Sequence, residues 1–143
     1  MERMTIPQTV IEWNERGRDN LPGHLGIEIV AVEPDAVRAR MPVARRLTAW
    51  GNFLHAGAVV SLADTCCGYA TIRNLPEDAE GFTTIELKSN FFGTALEGDV
   101  LCVAKPAHKG RSTQVWDAEV KSERSGKTIA RFRCTQMILR KRG

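Results

Sequence analysis

No apolar run in this chain reaches the roughly 18 residues that a membrane-spanning helix needs. The longest candidate, residues 57–70, is interrupted by Asp64. The N-terminus, Met-Glu-Arg-Met-Thr-Ile-Pro, has no apolar core of the kind that defines a signal peptide. We therefore expect a protein of the cytoplasm that has no membrane partner.

The chain also lacks a C-x-x-C pair and any cysteine spacing typical of zinc. Cys66 and Cys67 are adjacent, whereas Cys102 and Cys134 are isolated. The nearest histidine to Cys66 is His55, eleven residues away, so no base is paired with a cysteine nucleophile. This pattern favours buried, small hydrophobic cysteines and predicts neither a metal site nor a bound cofactor.

A concentrated stripe of positive charge is missing as well. The net charge is only +3, and the basic residues are scattered apart from Arg45-Arg46 and the tail Arg140-Lys141-Arg142. Nucleic-acid-binding proteins usually carry such a stripe, so no nucleic-acid partner is expected. A small phosphorylated ligand remains compatible with this charge.

What is present predicts one domain over 1–143, large enough to bury a core. Thr5, Pro7 and Gln8 indicate the start of a helix that continues to about Arg16, within an N-terminal segment 1–20, followed by a break at 17–23. Six strands are predicted from alternation and turn composition, at 25–32, 36–43, 82–92, 100–104, 112–121 and 127–139. Residues 108–111 are interpreted as a turn.

Residues 55–74 predict one long helix that is hydrophobic nearly all round, so other elements must cover it on all sides. Short connections between the strands favour antiparallel neighbours. The expected architecture is α+β, with one antiparallel sheet curled about a central helix. Asp64 lies in the apolar middle of this helix, where an unpaired carboxylate is costly and has a raised pKa.

The start of this helix has a polar entrance at Asn52 and His55. Ala56 and Gly57 fall in the first turn, where backbone N–H groups have no intrahelical partner and the helix dipole adds positive potential. Such a site suits a carbonyl oxygen that gains negative charge during acyl transfer. Asn52 and His55 also have purely structural interpretations, as turn residue and helix cap.

Asp64 follows His55 by nine residues, which is about half a turn in azimuth and roughly 13 Å along the axis. The two side chains of one chain therefore cannot easily meet over one substrate. If both act, the site combines the helix start of one subunit with Asp64 of another, and a two-fold dimer supplies two such sites. Alternatively, Asp64 is a buried carboxylate bonded to a neighbour such as Thr84, or a surface residue.

The run Asn52-Phe53-Leu54-His55-Ala56-Gly57 and the later Leu62-Ala63-Asp64 resemble the hotdog-fold acyl-CoA thioesterases, most closely the phenylacetate-degradation (PaaI-like) branch. The family pattern is His-Gly-Gly, six residues, then Asp or Glu. Residues 84–91, the turn 97–99 and the last hairpin are similar to the family too. The resemblance covers roughly residues 21–139 and implies a homodimer or a dimer of dimers with the active site between subunits.

By position, the resemblance implies that Asp64 is the nucleophile or the general base that activates water. The N–H of Ala56 would polarise the thioester carbonyl, His55 would orient it, and Thr84 would position water or the carboxylate. Ala56 departs from the family glycine, which matters if that glycine has a positive φ. The family's amide side chain before the histidine has no clear match, and Asn52 is offset from it.

Substrate contacts beyond the carbonyl are also implied by this resemblance. Gly57 adjoins the thioester, and the turn His108-Lys109-Gly110-Arg111-Ser112 matches a region that often meets the nucleotide of CoA. Its alternative is a solvated hairpin turn. An apolar acyl pocket is expected from Trp50, Phe53, Leu54 and Tyr69, although each is also a plausible core residue.

The expected function is hydrolysis of acyl-CoA to free acid and CoA, with CoA as part of the substrate. A non-catalytic acyl-CoA or acyl-carrier binding protein of the same fold is the alternative, because fold alone does not prove activity. Asp64 favours the enzyme, since a pure binder does not need a carboxylate in an apolar helix. A dehydratase or hydratase of this fold is less expected, because those enzymes pair a histidine with an acid in a different motif.

Overall fold

The computed structural model describes residues 5–142. Residues 1–4 and 143, which the predicted domain includes, lie outside this range. Helices α1 (Val10–Gly17) and α2 (Leu21–His24) precede strands β1 (Glu28–Glu33) and β2 (Ala36–Pro42). A short 3₁₀ turn (Arg45–Leu47) leads to helix α3 (Ala56–Arg73), which is followed by β3 (Gly81–Phe91), β4 (Asp99–Lys109), β5 (Thr113–Ser122) and β6 (Thr128–Leu139).

The six strands form one antiparallel sheet in the order β1-β2-β4-β5-β6-β3. Helix α3 contacts all six strands from one face of this sheet. Buried side chains of the sheet and the helix form a single core, as Val37, Leu62, Cys66, Val100 and Trp116 illustrate. The predicted sheet curled around a central helix is confirmed.

Helix α3 has the bounds that its composition predicts. His55 is its N-cap and Asn74 its C-cap, so the predicted range 55–74 equals the helix with both caps. Small residues such as Ala63 and Ala70 bring the sheet close to the helix axis and are wholly buried. The helix therefore holds Asp64 at a fixed position within the core layer.

Helix α1 starts later than predicted, at Thr9 instead of Thr5. The Thr9 side chain accepts a hydrogen bond from the Glu12 N–H, and Glu12 in turn accepts one from the Gln8 N–H. This reciprocal arrangement resembles a capping box and fixes the first turn. The predicted break at 17–23 is wrong in part, because it contains most of α2.

The side chain of Asn14 closes the β1 edge of the sheet. Its amide donates to the Ile29 carbonyl at 3.0 Å and accepts from the Ile29 N–H at 2.7 Å. These bonds occupy both backbone groups that Ile29 would otherwise offer to another strand. Helix α1 therefore blocks this edge, a common protection against unwanted pairing.

Strand β4 is longer than predicted. It runs to Lys109, so His108 and Lys109 belong to the strand and the turn into β5 is shorter than residues 108–111. Pro106 lies within the additional part of the strand and cannot donate to a sheet ladder. The structure accommodates it at an irregularity between Pro106 and His108, after which pairing with β5 resumes.

All four cysteines are buried and none forms a disulfide, as predicted. Burial raises the pKa of the Cys67 thiol, with a further contribution from its contact with Cys134. Contact with Cys66 raises the pKa of Cys102 in the same way. Cys67 and Cys102 are therefore protonated, apolar packing groups, not thiolate nucleophiles.

Candidate active site

The imidazole of His55 caps helix α3. Its Nδ1 accepts a hydrogen bond from the Gly57 N–H at 2.7 Å, while its own backbone N–H donates to the Leu47 carbonyl. A side chain on residue 57 would approach Nδ1 within 3.0 Å, so glycine leaves room for the ring. An Nδ1 that accepts carries no proton, which places the proton of the neutral ring on the exposed Nε2.

The backbone N–H of Ala56 is the open donor at this helix end. Gly57 donates to His55 Nδ1, and the N–H groups of Ala58 and Val59 both donate to the His55 carbonyl. Within residues 5–142, no acceptor is bonded to the Ala56 N–H. Ala56 is exposed and has helical backbone, so alanine replaces glycine there without the strain of a positive φ.

Asp64 is half-buried on α3. Its Oδ1 atom is buried and has no hydrogen-bond partner among the described residues. Burial raises the pKa of its carboxyl above the ordinary 3.8, and no cation offsets this effect. An unpaired buried carboxylate is costly, and such groups are frequent at functional sites.

Thr84 lies on β3, on the face that turns towards α3. Phe82 reaches Gly68, one helical turn beyond Asp64, and alternation puts Thr84 on the same strand face as Phe82. The register is irregular directly after Thr84, between Thr84 and Glu86. Bulges of this kind are frequent next to active sites, where they redirect side chains.

Gln136 is a polar core residue that the sequence interpretation missed. It is wholly buried, pairs with Thr84 across the β3–β6 ladder, and both atoms of its amide lack partners in the described part of the chain. Inward positions alternate along β6, through Phe132, Cys134 and Ile138. A glutamine at such a position is the signal that would have identified it.

Within one chain, the helix start and Asp64 do not meet. Helix α3 is regular between them, so the spacing argument holds, with Asp64 roughly 13 Å from His55 along the axis and on the opposite side. A groove of about 840 Å³ on the sheet is lined by neither residue. A single chain therefore does not bring His55 and Asp64 together over one substrate.

Asn52 lies in the tight loop before the helix. Its backbone has a φ of 62°, in the left-handed region that asparagine tolerates better than most residues. The Asn52 N–H donates to the Ala49 carbonyl, and Ala49 donates to the Phe53 carbonyl at 2.8 Å. The structure thus shows a turn-forming role for Asn52; its predicted contact with substrate stays a prediction.

The four predicted acyl-pocket residues separate into two groups. Trp50 and Phe53 are exposed at the loop before the helix. Leu54 is a core residue, and the Tyr69 ring packs against Trp13 with 5.2 Å between ring centroids. Leu54 and Tyr69 therefore contribute to the core of their own chain, a correction to the predicted pocket.

The residues predicted to meet CoA lie at the β4–β5 turn. The Lys109 Nζ is 2.6 Å from Asp35 Oδ1, so its charge is already paired. A Cβ at position 110 would lie 2.5 Å from His108 Nε2 and 3.1 Å from the Thr113 carbonyl oxygen, so glycine leaves room in this turn. Ser112 and Arg111 are exposed, and no carboxylate lies within 4 Å of the Arg111 guanidinium in residues 5–142.

Residues 51–129 match the Thioesterase superfamily, and the chain belongs to this family. A 1,4-dihydroxy-2-naphthoyl-CoA hydrolase of Escherichia coli is 33% identical over 131 residues, covering 92% of this chain and 95% of that protein. The proofreading thioesterase EntH of Cronobacter turicensis is 33% identical over 118 residues, covering 80% of this chain and 83% of that protein.

A solved thioesterase structure has the same fold as this chain, in agreement with the family match. The crystal structure of a Haemophilus influenzae thioesterase superposes with a TM-score of 0.88 at 29% identity, covering 94% of this chain and 92% of that one. The hotdog fold is therefore confirmed, and the chain is a thioester hydrolase. No helix among residues 5–142 has the length and apolar character to cross a membrane.

Proposed function

We propose that the protein hydrolyses acyl-CoA thioesters at two equivalent sites of a homodimer, each built from both subunits. The observation that carries this proposal is the half-buried carboxylate of Asp64, whose Oδ1 has no partner within residues 5–142, together with the open N–H of Ala56 at the start of the same helix. The two groups provide the base and the electrophilic contact that thioester hydrolysis requires.

The helix start holds the thioester carbonyl. The Ala56 N–H donates to the carbonyl oxygen, which gains negative charge as the tetrahedral intermediate forms. The positive end of the α3 dipole stabilises the same charge. His55, fixed through Nδ1, presents the Nε2 proton next to this position and orients the thioester.

Asp64 of the partner subunit acts on water. Its carboxylate accepts a proton as the water oxygen bonds to the carbonyl carbon, and the intermediate then collapses by cleaving the C–S bond. CoA leaves as a thiolate that is protonated, and the acid is released. In the covalent alternative, Asp64 attacks the carbonyl carbon itself, the C–S bond breaks and the CoA thiolate leaves, and water then hydrolyses the resulting anhydride to the acid and the free carboxylate. Thr84, on the facing strand, positions the water in either case.

The proposed dimer forms through β3, whose edge is open while the β1 edge is blocked by Asn14. Strand β3 is 11 residues long, and four apolar side chains on or beside it are substantially exposed: Ile85, Leu87, Phe91 and Phe92. Long, apolar, uncovered edges are strong sites for strand pairing. Two-fold pairing of β3 strands would bring the two α3 helices alongside in opposite directions.

The proposal that the substrate carries CoA is supported by the charge of the β4–β5 turn and by the name of one relative. Arg111 is the exposed cation of the β4–β5 turn, whereas Lys109 is engaged by Asp35. One relative is itself a CoA thioester hydrolase by name. We assign the phosphates of CoA to Arg111, with Ser112 beside it, and the acyl group to the exposed Trp50 and Phe53 of the loop before α3.

The test is hydrolysis of short, medium, long and aryl acyl-CoAs by the wild-type protein and by Asp64→Asn and Asp64→Ala. General-base catalysis contributes on the order of 10²- to 10⁴-fold, so we expect kcat/KM to fall by about that factor on every substrate that the wild type uses. Unchanged hydrolysis would remove Asp64 from the mechanism. Binding of acyl-CoA without turnover by the wild type would support the non-catalytic alternative.

A further inference from the structure

Three buried side-chain atoms within residues 5–142 have no hydrogen-bond partner: Oδ1 of Asp64 and both polar atoms of the Gln136 amide. Such atoms are costly, because a buried donor or acceptor that pairs with nothing has lost its bonds to water without replacement. The role of Asp64 in the proposed reaction explains the cost at that residue. The amide of Gln136 needs an explanation of its own.

A second buried glutamine, Gln114, shows that the fold can satisfy an amide at this level of the sheet. Gln114 and Gln136 are paired across β5 and β6, and neither is more than 1% exposed. The Gln114 Nε2 donates to the Asn74 carbonyl at 3.0 Å, and its Oε1 accepts from the Trp116 indole N–H at 2.9 Å. Gln114 therefore ties the end of α3 to the sheet, a structural role that Gln136 does not share.

Thr84 is the neighbour of Gln136 on the opposite side. The two residues are paired across β3 and β6, and side chains in this relation have Cβ atoms about 4.5–5.5 Å apart. Gln136 is wholly buried, whereas Thr84 is exposed in one chain because β3 is an edge strand. Thr84 thus lies between the buried amide and the edge at which the proposed second subunit pairs.

Strand β6 packs on the turn of α3 that follows Asp64, as β3 does. Cys134, the buried residue two positions before Gln136 on the same strand face, contacts the thiol of Cys67. Cys67 follows Asp64 by three positions, so the two share one face of the helix. The pair formed by Thr84 and Gln136 therefore faces the part of α3 that carries Asp64.

Packing alone does not account for a glutamine at position 136. The other inward residues of β6 in this region are Phe132, Cys134 and Ile138, which bury no amide. An apolar side chain of similar size would fill the same space without an unpaired donor and acceptor. An amide is advantageous there when it meets a polar group, and the hydroxyl of Thr84 is the group that the strand register brings beside it.

We propose that Gln136 is a positioning residue that directs the Thr84 hydroxyl towards Asp64 of the same subunit, an inference that rests on the proposed function. In the assembled site, the Gln136 Nε2 donates a hydrogen bond to Thr84 Oγ1. A hydroxyl has one proton to donate and accepts through its lone pairs. The bond from Gln136 therefore leaves the Thr84 O–H to donate towards Asp64 Oδ1 or towards the water that Asp64 activates.

The test compares Gln136→Met with Gln114→Met, a matched control on the adjacent strand. Methionine keeps the length of glutamine without its polar atoms. We expect Gln136→Met to have a Tm no lower than the wild type, because an unpaired amide is removed, and to lose about tenfold in kcat with KM unchanged. Gln136→Leu, a second variant, should do the same. Gln114→Met should instead lower the Tm, since the Trp116 N–H loses its acceptor, and keep the wild-type kcat.

A double-mutant cycle tests whether Gln136 acts through Thr84. Thr84→Val removes the hydroxyl at nearly constant shape, and Thr84→Ser keeps it. We expect Thr84→Val/Gln136→Met to be no slower than Thr84→Val, within about twofold, whereas Gln136→Met should still slow Thr84→Ser by about tenfold. Losses that multiply in the first double variant, unchanged kcat in both Gln136 variants, or a rise in KM alone would overturn the proposal.

Asp64→Asn, measured in the same assay, separates this proposal from the one on which it rests. If Asp64→Asn is inactive while Gln136→Met and Gln136→Leu are fully active, the role of Gln136 is refuted and the proposed reaction stands. If Asp64→Asn hydrolyses acyl-CoA as fast as the wild type, the proposed reaction is refuted, and the role of Gln136 with it.

Discussion

The Nδ1 atom of His55 accepts a hydrogen bond from the Gly57 N–H at 2.7 Å, directly beside an Ala56 N–H that has no acceptor within residues 5–142. The histidine therefore accepts from one of the unpaired N–H groups at the helix start and leaves the neighbouring Ala56 N–H for a ligand. The cap and the proposed oxyanion contact are thus parts of one arrangement, and His55 serves both.

Replacing Ala56 by proline removes the open N–H with little change in backbone. Proline is favoured at the first helical position, and His55, with φ −65° and ψ 136°, already has the conformation that precedes proline. We expect Ala56→Pro to fold normally and to lose about 10²- to 10³-fold in kcat, as when an oxyanion donor is removed. Ala56→Ser, which keeps the N–H, is the control; equal activity of the two variants would exclude this donor.

Two substitutions of Asn52 distinguish a role in the backbone turn from a contact with the substrate. At its φ of 62°, alanine is strained by about 1 kcal/mol or more, whereas glycine is not. We expect Asn52→Ala to lower the free energy of unfolding by about that amount and Asn52→Gly to leave it nearly unchanged. Hydrolysis by Asn52→Gly should match the wild type, and a selective rise in its KM would instead reveal a contact between the Asn52 amide and the substrate.

Asp64 should make stability depend on pH. Burial raises the pKa of its carboxyl above 3.8, so below that value both the folded and the unfolded chain carry the proton. As the pH rises through the raised folded value, the folded protein alone must hold a buried charge and loses stability. We expect Asp64→Asn to be more stable than the wild type at neutral pH, with a difference that vanishes in acid. Urea unfolding at several pH values measures it; a constant difference contradicts a buried charge.

The open edge of β3 predicts the oligomeric state. Leu87 and Phe91 pair with inward residues of β6, and both are nearly half exposed in one chain. Charges at these positions would be buried unpaired in the proposed dimer, so Leu87→Asp/Phe91→Asp should yield a monomer without hydrolytic activity. Asn90→Asp, on the face of the same strand that points away from α3, should remain dimeric. Sedimentation equilibrium separates these outcomes, and a dimeric double variant would place the interface elsewhere.

Helix α3 and the antiparallel pairs β1–β2, β4–β5 and β5–β6 follow from local composition and short turns. The pairings β2–β4 and β3–β6 join strands that are distant in the chain, so short connections do not predict them, and consecutive β3 and β4 do not pair. The start of α1 was mispredicted because Thr5 and Thr9 both precede Gln or Glu by three residues, and only packing decides between them. Strand β4 was predicted to end at Ala104, and its continuation to Lys109 depends on pairing with β5.

The sequence likewise predicted some residues of the candidate site and missed others. Composition identifies Asp64, and helix-end chemistry identifies His55 and Ala56, because both follow from residues close in sequence. The alternation along β6 marks Gln136 as an inward residue, but its pairing with Thr84 and the pairing of Lys109 with Asp35 join segments that are distant in the chain, so no local pattern reveals these contacts. The same limit explains Tyr69, whose contact with Trp13 is made across 56 positions of sequence.

The central claim is that Ala56 and Asp64 of different subunits form one site, and a mixed dimer tests it most directly. Chains with Asp64→Ala and chains with Ala56→Pro are each inactive as homodimers on this account. In a hybrid of the two, one site keeps both groups and the other loses both. Random mixing of equal amounts should restore about one quarter of wild-type hydrolysis, because half the dimers are hybrids with one intact site. Absence of any recovery, with hybrid formation shown by mass spectrometry, would place both groups in a site within one chain.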